Sequence, residues 1–481
     1  MAEQLKQNKK LARVRCSCFL RGTPLAAAAN KKEGGLFMEN LLNPVIVAVL
    51  LLCVLCLLKV NVLLSMLVSL FVAGLIGGLP LVSSGDEVSI MSSVIAGFSG
   101  NAETALAYVL LGTFASAMAY TGITEILSKK IARAVGGNKW ILIGILLVIA
   151  CASQNIIPIH IAYIPILVPP LLAMMNKMKL DRRGVACTIA FGHKAPYIAV
   201  PMGFGLIFMG IIRDNINDNA KDFGWKVSVG DITAVNWILA VAMFIGLAIA
   251  LFVTYRKPRE YKDVQLEGVT ETEDLTLKYQ HWVTLAAIVV VVALQIKFGS
   301  LPVAALGGLL VMFIFQAVKP KDIDEQFQGG IKLMGFIAFV MLVAGGFATV
   351  LKNTGAVNDL VTSAISLMGG NKWIAATIIT LIGLLVTMGI GTSFGTVPVL
   401  AVLYVPLCHQ MGFSPAATIV LMSAAAALGD AGSPASDTTL GPTSGLNADG
   451  QHDHIWDTCV PTFLHFNIPL MIAAIVAAQF L

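Results

Sequence analysis

The sequence predicts an all-α polytopic membrane protein with two inverted-topology repeats, about ten spans, two re-entrant hairpins and two broken helices. Its 481 residues are 57% hydrophobic and only 12% charged, with a mean hydropathy of +0.83. A soluble domain carries roughly 25% charged residues, and a chain this apolar would expose larger apolar patches in water than soluble monomers tolerate. The composition therefore excludes a cytosolic enzyme, a nucleic-acid-binding module and a disordered chain.

Apolar segments of the length that crosses a bilayer, about 20 residues, recur along the chain. The uninterrupted ones are residues 42–58, 60–79, 104–123, 233–254, 281–297, 300–318, 331–351 and 457–480. Four further apolar regions are interrupted by polar residues, Gly or Pro, namely residues 140–176, 184–212, 373–410 and 416–447. We expect the first and third of these regions to be hairpins, and the second and fourth to be broken helices.

The interrupted regions belong to an internal repeat. The pentapeptide GGNKW at residues 136–140 reappears at residues 369–373, and Thr121 matches Thr354 at the same offset. After four inserted residues, His193 aligns with Asp430. Repetition at a fixed offset indicates two copies of one architecture.

Charge predicts the topology of these two copies. Lys and Arg cluster in three segments, 129–139, 177–183 and 256–259, which are expected on the cytoplasmic side. The first half then changes sides an odd number of times, so the second half inserts upside down, as in secondary transporters. The predicted divisions are a basic leader (1–37), a first inverted repeat (38–254), a cytoplasmic linker (255–280) and a second inverted repeat (281–481).

The leader holds the whole positive excess, with a net charge of +6 in residues 1–37 against −1 in the rest. One hypothesis is that it is not natural coding sequence. A translated ribosome-binding site would encode Glu33-Gly34-Gly35, and Met38 follows at a suitable distance. The alternative is a basic arm that contacts anionic lipid headgroups.

Breaks inside a bilayer expose backbone N–H and C=O groups, which are tolerated only inside protein or beside an aqueous cavity, where they bind ions. The candidate solute- or ion-binding residues lie at the hairpin tips (Ser153, Gln154, Asn155, Thr392 and Ser393), at the first broken helix (His193 and Lys194) and at the second (Asp430, Ser433, Asp437 and Thr438). Asp430 and Asp437 are the expected coupling sites for a proton or cation, because an intramembrane carboxylate is by default an ion site. Hard oxygen ligands also suit Na+, which we expect near Thr392, Ser393 and Asp430.

Lys194 is expected well inside its apolar segment, where an ammonium group must be paired. Its partner would be Asp430, a substrate carboxylate, or both. The alternative is a lysine that snorkels to the membrane surface. For Asp437 the alternative is a helix cap near that surface.

Two other patterns carry weaker signals. The segment 449–457 contains His452 and His454, which are metal-ligand residue types without an established ligand spacing, and we expect a polar cytoplasmic loop. Cys53 and Cys56 have redox-motif spacing but lie inside an apolar run, which favours helix packing. The sequence has no Walker loop or nucleotide fingerprint, so we do not expect transport driven directly by ATP.

The stretch LGDAGSPASDTTLGPTS at residues 428–444, continuing to Trp456-Asp457, resembles the bacterial Na+/H+ antiporter family, which is NhaC-like and part of the ion transporter superfamily. The resemblance covers nearly all of residues 38–481. It implies a scaffold domain and a transport domain of two hairpins and two broken helices, commonly in a homodimer. Close relatives in the family include proposed amino-acid permeases, with histidine among the suggested substrates. The chain departs from sodium-coupled dicarboxylate carriers, which have Ser-Asn-Thr at both hairpin tips.

We therefore expect a secondary active transporter in the bacterial inner (plasma) membrane rather than an enzyme. It would move a small polar solute, an amino acid or organic anion, by alternating access, with Na+ or H+ as the coupling ion and no cofactor. Its partners would be the solute, the lipid bilayer and a second copy of the chain, and no nucleic acid. The alternative is a Na+/H+ antiporter with no organic substrate. A passive channel is less favoured, because spans such as 281–297 are uniformly apolar.

Overall fold

The computed structural model describes residues 43–481 except residues 59, 84–86, 156–159, 263, 265–275, 358 and 361–367. Residues 44–481 form one compact unit. The predicted leader, part of the predicted linker and residues 156–158 of the first hairpin tip lie outside the described residues.

The first half of the chain forms α1 (Pro44–Leu57), α2 (Val62–Ile76), α3 (Ile90–Thr121), α4 (Ile123–Val135), α5 (Lys139–Asn155), α6 (Arg182–Ala199), α7 (Phe204–Asn219) and α8 (Val229–Ile249). Short helical turns (His160–Tyr163, Ile164–Leu167, Pro169–Leu171 and Leu172–Lys177) lie between α5 and α6, and a π turn (Ala250–Thr254) extends α8. The second half forms α9 (Tyr279–Phe298), α10 (Leu301–Ile314), α11 (Ile323–Asn353), α12 (Lys372–Ile390), α13 (Ser393–Gln410), α14 (Pro415–Ala427), α15 (Asp437–Leu446) and α16 (His454–Phe480).

Among the described residues, seven helices are long and apolar enough to cross a bilayer, and these residues form no β-strand. Helices α6 and α7 meet at a 50° bend and make an eighth span when they are taken together. Five shorter apolar helices accompany them: α1, α2, α5, α10 and α14. The predicted class, an all-α polytopic membrane protein, is confirmed.

The long helices α3 and α11 are equivalent in the sequence repeat, and they pack against each other along most of their length. The Asn101 amide donates to the Met341 carbonyl at 2.7 Å, and the Ser116 hydroxyl to Gln326 Oε1 at 2.9 Å, so the two helices run antiparallel. Glycines at the crossing allow the backbones to approach closely, since Gly97 packs directly on Gly345. Antiparallel packing of equivalent helices is what an inverted repeat requires.

Both long helices extend beyond the predicted spans at their N-terminal ends, since α3 begins at Ile90 rather than 104 and α11 at Ile323 rather than 331. The predicted span 104–123 begins directly after the polar residues Asn101 and Glu103. The structure gives both residues partners from the other half of the chain, as Glu103 accepts a hydrogen bond from Ser300 at 2.9 Å. Polar side chains whose hydrogen bonds are satisfied can lie in a membrane helix, so Asn101 and Glu103 do not end α3.

Helices α6 and α14 lie at the centre of the protein. Every residue of α14 from Ala417 to Ala427 is buried, as is nearly all of α6. Helix α6 packs on α5, α8 and α15, and α14 packs on α12, α13 and α16. Each central helix leads into a break, and these breaks position the candidate site.

The predicted break at residues 192–196 is wrong, because α6 continues through this segment to Ala199 with Pro196 inside the helix. The chain instead bends at residues 200–203, here called the α6–α7 break. Val200 is extended (φ −113°, ψ 119°), as expected before Pro201, and Gly203 has a φ of +55°, which favours glycine. Lys194 therefore lies in the last turns of a continuous helix and not in a break.

Candidate functional site

Lys194 and Asp430 form a buried ion pair at the centre of the protein. Lys194 projects from α6 and is 1% exposed, and Asp430, which is 3% exposed, lies in the α14–α15 break (residues 428–436). Gly429, the second residue of this break, has a φ of +72°, and a Cβ at that position would meet the Met388 nitrogen of α12 at 2.6 Å. A glycine is therefore required where the chain turns to present Asp430.

Both carboxylate oxygens of Asp430 accept hydrogen bonds besides the ion pair. Oδ2 accepts from the Ser393 hydroxyl at 2.5 Å and from its backbone N–H at 3.3 Å. Oδ1 accepts from the Ser436 hydroxyl and, at 3.4 Å, from Thr438. Ser393 is the first residue of α13, and Ser436 directly precedes α15, so two helix N-termini meet at this carboxylate. Their dipoles stabilise its negative charge.

The Lys194 ammonium group also uses its full set of donors. Besides Asp430 it contacts the Tyr197 hydroxyl at 2.8 Å and the Ser393 hydroxyl at 3.1 Å. Tyr197 in turn donates to Ser393 at 2.7 Å, and its ring stacks on Phe394 with centroids 5.7 Å apart. The pair is thus enclosed by hydroxyls and aromatic rings in a neutral cluster.

Helix α6 and the α14–α15 break approach each other at the Lys194–Asp430 pair, and the other predicted site residues lie in separate groups around it. His193 lies next to Lys194, and its Nε2 is 3.1 Å from the Tyr163 hydroxyl. Asp437 is half-buried at the first turn of α15, where Thr438 lies 3.4 Å from its carboxylate.

The first hairpin tip supports the α6–α7 break. The Asn155 amide donates to three backbone carbonyls, those of Pro196 (3.3 Å), Val200 (3.0 Å) and Met202 (2.9 Å). Ser153 donates to Ala150 within its own helix, and Gln154 is buried. The carbonyls of Pro196, Val200 and Met202 also accept backbone hydrogen bonds, so Asn155 adds a second donor to them and ties the first hairpin tip to the α6–α7 break.

Thr392 and Ser433 lie around the second hairpin tip. Thr392 is half-buried and lines a cavity of about 210 Å³ between α3, α11 and the tip, whereas its neighbour Ser393 faces the ion pair. Ser433 donates to the Met388 carbonyl at 3.2 Å and accepts from the Ala435 N–H at 3.2 Å, so it shapes the α14–α15 break.

Sequence reasoning missed three residues of this region. Tyr197 follows Lys194 by three positions and lies on the same face of α6. A prediction of a continuous helix through residues 192–196 would have placed the two side chains together. Ser436 lies in the same glycine- and serine-rich motif as Asp430. Tyr108 of α3 is 1% exposed, its hydroxyl has no hydrogen-bond partner among the described residues, and the charges of Asp437 and Asp430 act on it.

The segment 449–457 consists of a loop and the first residues of α16, and His452, Ile455 and Asp457 are buried within it. Arg182 binds Asp449 through two bonds of 2.7 and 2.6 Å, and Arg259 binds Asp457 at 2.6 Å. Among the described residues, no group of three His, Cys, Asp or Glu side chains could hold a metal ion.

Comparison with known proteins gives the following matches. The sequence profile of the Na+/H+ antiporter family matches residues 188–477, and a second profile, described as Na+-H+ antiporter family, matches residues 43–135. An uncharacterized membrane protein of Vibrio parahaemolyticus is 45% identical over 450 residues, which cover 92% of this chain and 100% of that protein. The Bacillus subtilis protein YuiF, named as a candidate amino acid transporter, is 44% identical over 452 residues, covering 91% and 99%. The solved YdaH transporter of Alcanivorax borkumensis aligns at 12% identity with a TM-score of 0.44, covering 90% and 98%.

Proposed function

The chain belongs to the Na+/H+ antiporter family, and we propose that within this family of transporters it is a secondary active carrier of a small polar solute. It is a multi-pass protein of the bacterial inner membrane and not an enzyme. The proposed solute is an amino acid or an organic anion, moved by alternating access. The proposed coupling ion is Na+ or H+.

The Lys194–Asp430 pair carries this proposal. Removing one partner of a buried ion pair leaves an uncompensated charge, which costs about 3–5 kcal/mol. Asp430 can therefore release Lys194 only when another cation, Na+ or a proton, replaces the ammonium group. Lys194 likewise needs a new anion, and a solute carboxylate supplies one.

This exchange makes the two ligands depend on each other. A cation alone would neutralise Asp430 and leave Lys194 unpaired, and a carboxylate alone would leave Asp430 unpaired. Each ligand thus lowers the cost of binding the other, which is the definition of coupling between sites. Solute and ion bind together or not at all.

The groups around Asp430 suit either coupling ion. Hydroxyls of Ser393, Ser436 and Thr438 are hard oxygen ligands that could surround Na+ once the ammonium group has moved away. The same carboxylate, once protonated, would donate a hydrogen bond instead. Asp437, one residue before Thr438, is a second proposed coupling site.

The name of the Bacillus subtilis relative supports an amino acid as the solute. A zwitterion fits the charges, since its carboxylate would bind Lys194 while its ammonium group remained attracted to the two aspartates. The second candidate function is Na+/H+ exchange with no organic solute, with both ions competing for Asp430 and Asp437. It is favoured by the observation that Asp430 is fully satisfied by protein groups alone.

Uptake by the purified protein in proteoliposomes tests the proposal. The probes are a 14C-labelled mixture of the proteinogenic amino acids and a second mixture of dicarboxylates, each offered with an inward Na+ gradient, an inward proton gradient or neither. Gradient-dependent accumulation of either mixture is expected. If neither accumulates while a Na+ gradient still moves protons, the second candidate function replaces the first.

A further inference from the structure

A chain of four buried or half-buried polar side chains runs from the loop before α16 to the α14–α15 break. Nε2 of His452 lies 2.7 Å from the Thr458 hydroxyl, which lies 3.0 Å from the Thr443 hydroxyl. The Thr443 hydroxyl is 2.8 Å from Nδ1 of His454, whose Nε2 is 2.8 Å from the Pro434 carbonyl oxygen. The proposed exchange at Asp430 uses none of these side chains.

The positions of the hydrogens follow from the last contact. The Pro434 oxygen can only accept, so Nε2 of His454 carries the hydrogen and Nδ1 accepts from Thr443. Thr458 then donates to Thr443, and Nε2 of His452 donates to Thr458. Every donor points the same way, towards the break.

At the outer end of this chain, Nδ1 of His452 is left with a lone pair. This atom is buried and has no hydrogen-bond partner among the described residues. Burial lowers the pKa of His452 to about 3; Asp457 opposes this shift, while the charges of Arg182, His454 and Arg259 add to it. His452 is therefore neutral at pH 7, so it can accept a proton briefly but does not store one.

The two ends of this hydrogen-bonded chain of side chains lie on the expected cytoplasmic side and at the α14–α15 break. His452 is next to Arg182 and Arg259, which the distribution of basic residues places on the cytoplasmic side. Pro434 is part of the α14–α15 break, between Asp430 and the Ser436 that binds its carboxylate. His454 also faces Asp453 and the Cys459 thiol, which lies 3.5 Å from its Nε2.

We propose that His452, Thr458, Thr443 and His454 form a proton relay between the cytoplasm and the break that holds Asp430. This proposal rests on the proposed transport function with H+ as the coupling ion. Histidines are common in the proton relays of transporters because imidazole both accepts and donates.

Each step of the relay conserves protons. Because Nδ1 of His452 is buried, the loop before α16 must open for water to deliver a proton to this atom, and the Nε2 proton then moves to Thr458. The Thr458 proton moves to Thr443, and the Thr443 proton to Nδ1 of His454. The Nε2 proton of His454 then leaves for Asp430 when the break rearranges and the Pro434 oxygen releases the imidazole. The Thr439 carbonyl lies 2.9 Å from the Thr443 hydroxyl and is an alternative acceptor. The Thr443 hydroxyl turns to it while the hydrogen bonds of the relay return to their starting directions.

The test replaces each relay hydroxyl by a methyl group of nearly the same shape, in Thr443→Val and Thr458→Val. The matched control is Thr462→Val, because the buried Thr462 hydroxyl donates only to backbone carbonyls, those of Thr458 (2.9 Å) and Cys459 (3.1 Å). Proteoliposomes receive the 14C-labelled amino acid mixture in two assays. One measures net uptake driven by a proton gradient, and the other measures exchange of internal for external solute at equal pH, which needs no net proton transfer.

We expect both relay variants to lose net uptake roughly tenfold or more while exchange stays near the wild-type rate, and Thr443→Ser to recover net uptake. The control should behave as wild type in both assays. Parallel loss of uptake and exchange would mean that the network only supports the fold, and an unchanged net uptake would equally overturn the relay. Uptake driven by Na+ alone would overturn the relay and leave the transport function standing.

If the wild type takes up neither the amino acids nor the dicarboxylates, the transport proposal fails, and proton flux still tests the relay. Vesicles containing the pH dye pyranine report the proton movement that a Na+ gradient drives. Slower proton movement in Thr443→Val than in Thr462→Val would support the relay, and equal rates would overturn it.

Discussion

The ammonium group of Lys194 and the carboxylate of Asp430 are 236 positions apart in the sequence and form an ion pair that is almost completely buried. The lysine comes from a central helix of the first half of the chain, and the aspartate from the break after the equivalent helix of the second half. Tyr197 and Ser393 bond to the same ammonium group. In the proposed mechanism, another cation takes the place of this ammonium group at Asp430, so ion binding and separation of the pair occur together.

Lys194→Ala is expected to abolish gradient-driven uptake in proteoliposomes. It leaves Asp430 without its cation, and the variant loses the group proposed to bind the solute carboxylate. Lys194→Arg should not restore uptake, because a planar guanidinium does not replace a compact ammonium group in a fully enclosed site. Lys372→Ala is the control, since Lys372 is exposed and donates to the Gly412 carbonyl, and it should stay within about twofold of wild type. Near wild-type uptake by Lys194→Ala would contradict the role.

Asp430→Asn should stop or uncouple transport, because the amide keeps the shape of the carboxylate without its charge. It should also lower the unfolding temperature in detergent, since Lys194 becomes an unpaired buried charge worth about 3 kcal/mol or more. The double variant Lys194→Met/Asp430→Asn removes both charges and should recover much of that stability while remaining inactive. If the double variant lost as much stability as Lys194→Met and Asp430→Asn lose together, the two residues would not be coupled.

Much of the architecture follows from the sequence because composition, span length and repeats are properties of the chain itself. Alignment of the two copies matches His193 with Asp430, and in the structure the neighbour of His193, Lys194, binds Asp430. The position of the first break could not be predicted in the same way. Residues 192–196 contain glycine and proline but are packed within the buried helix α6, and tertiary packing overrides local propensity.

The partners of polar side chains were also beyond sequence reasoning. Asn101 and Glu103 were left out of the predicted span 104–123, yet they lie within α3, and their partners, Met341 and Ser300, are about 200 positions or more away. Asn155 was expected to face the solute, and its amide instead binds the carbonyls of the α6–α7 break. Its role as a solute ligand remains a prediction.

Gly97→Ala is expected to destabilise the pairing of α3 with α11. A Cβ at Gly97 would overlap the backbone of Gly345 and Gly346, and neither helix can yield without separating the pair. Gly100→Ala is a close control, because a Cβ there meets no atom within 4 Å and alanine favours the helix by about 1 kcal/mol. The unfolding temperature in detergent should fall for Gly97→Ala and stay level or rise for Gly100→Ala. Equal effects would argue against close packing of the two helices at this point.

The buried pair of Arg182 and Asp449 should make stability depend on pH. Burial raises the pKa of Asp449, but the hydrogen bonds and charge of Arg182, together with hydrogen bonds from Gln451, lower it by more, so its pKa lies below the usual value. A carboxylate with a lowered pKa in the folded state stabilises the fold above its unfolded-state pKa, near 4, and this contribution is lost as the pH falls through the folded-state pKa.

Asp449→Asn should therefore destabilise the protein by about 3 kcal/mol at pH 7, measured as thermal unfolding in detergent, because Arg182 is 0% exposed and loses its counter-charge. The difference from wild type should begin to shrink as the pH falls below about 4, where Asp449 of the unfolded wild type binds a proton, and should be lost once the pH falls below the folded-state pKa. Asp324→Asn, at an exposed carboxylate in the first turn of α11, is the control and should change stability by less than about 0.5 kcal/mol. A gap between Asp449→Asn and wild type that stayed constant from pH 7 to pH 3 would show that the loss comes from packing and not from the charge of Asp449.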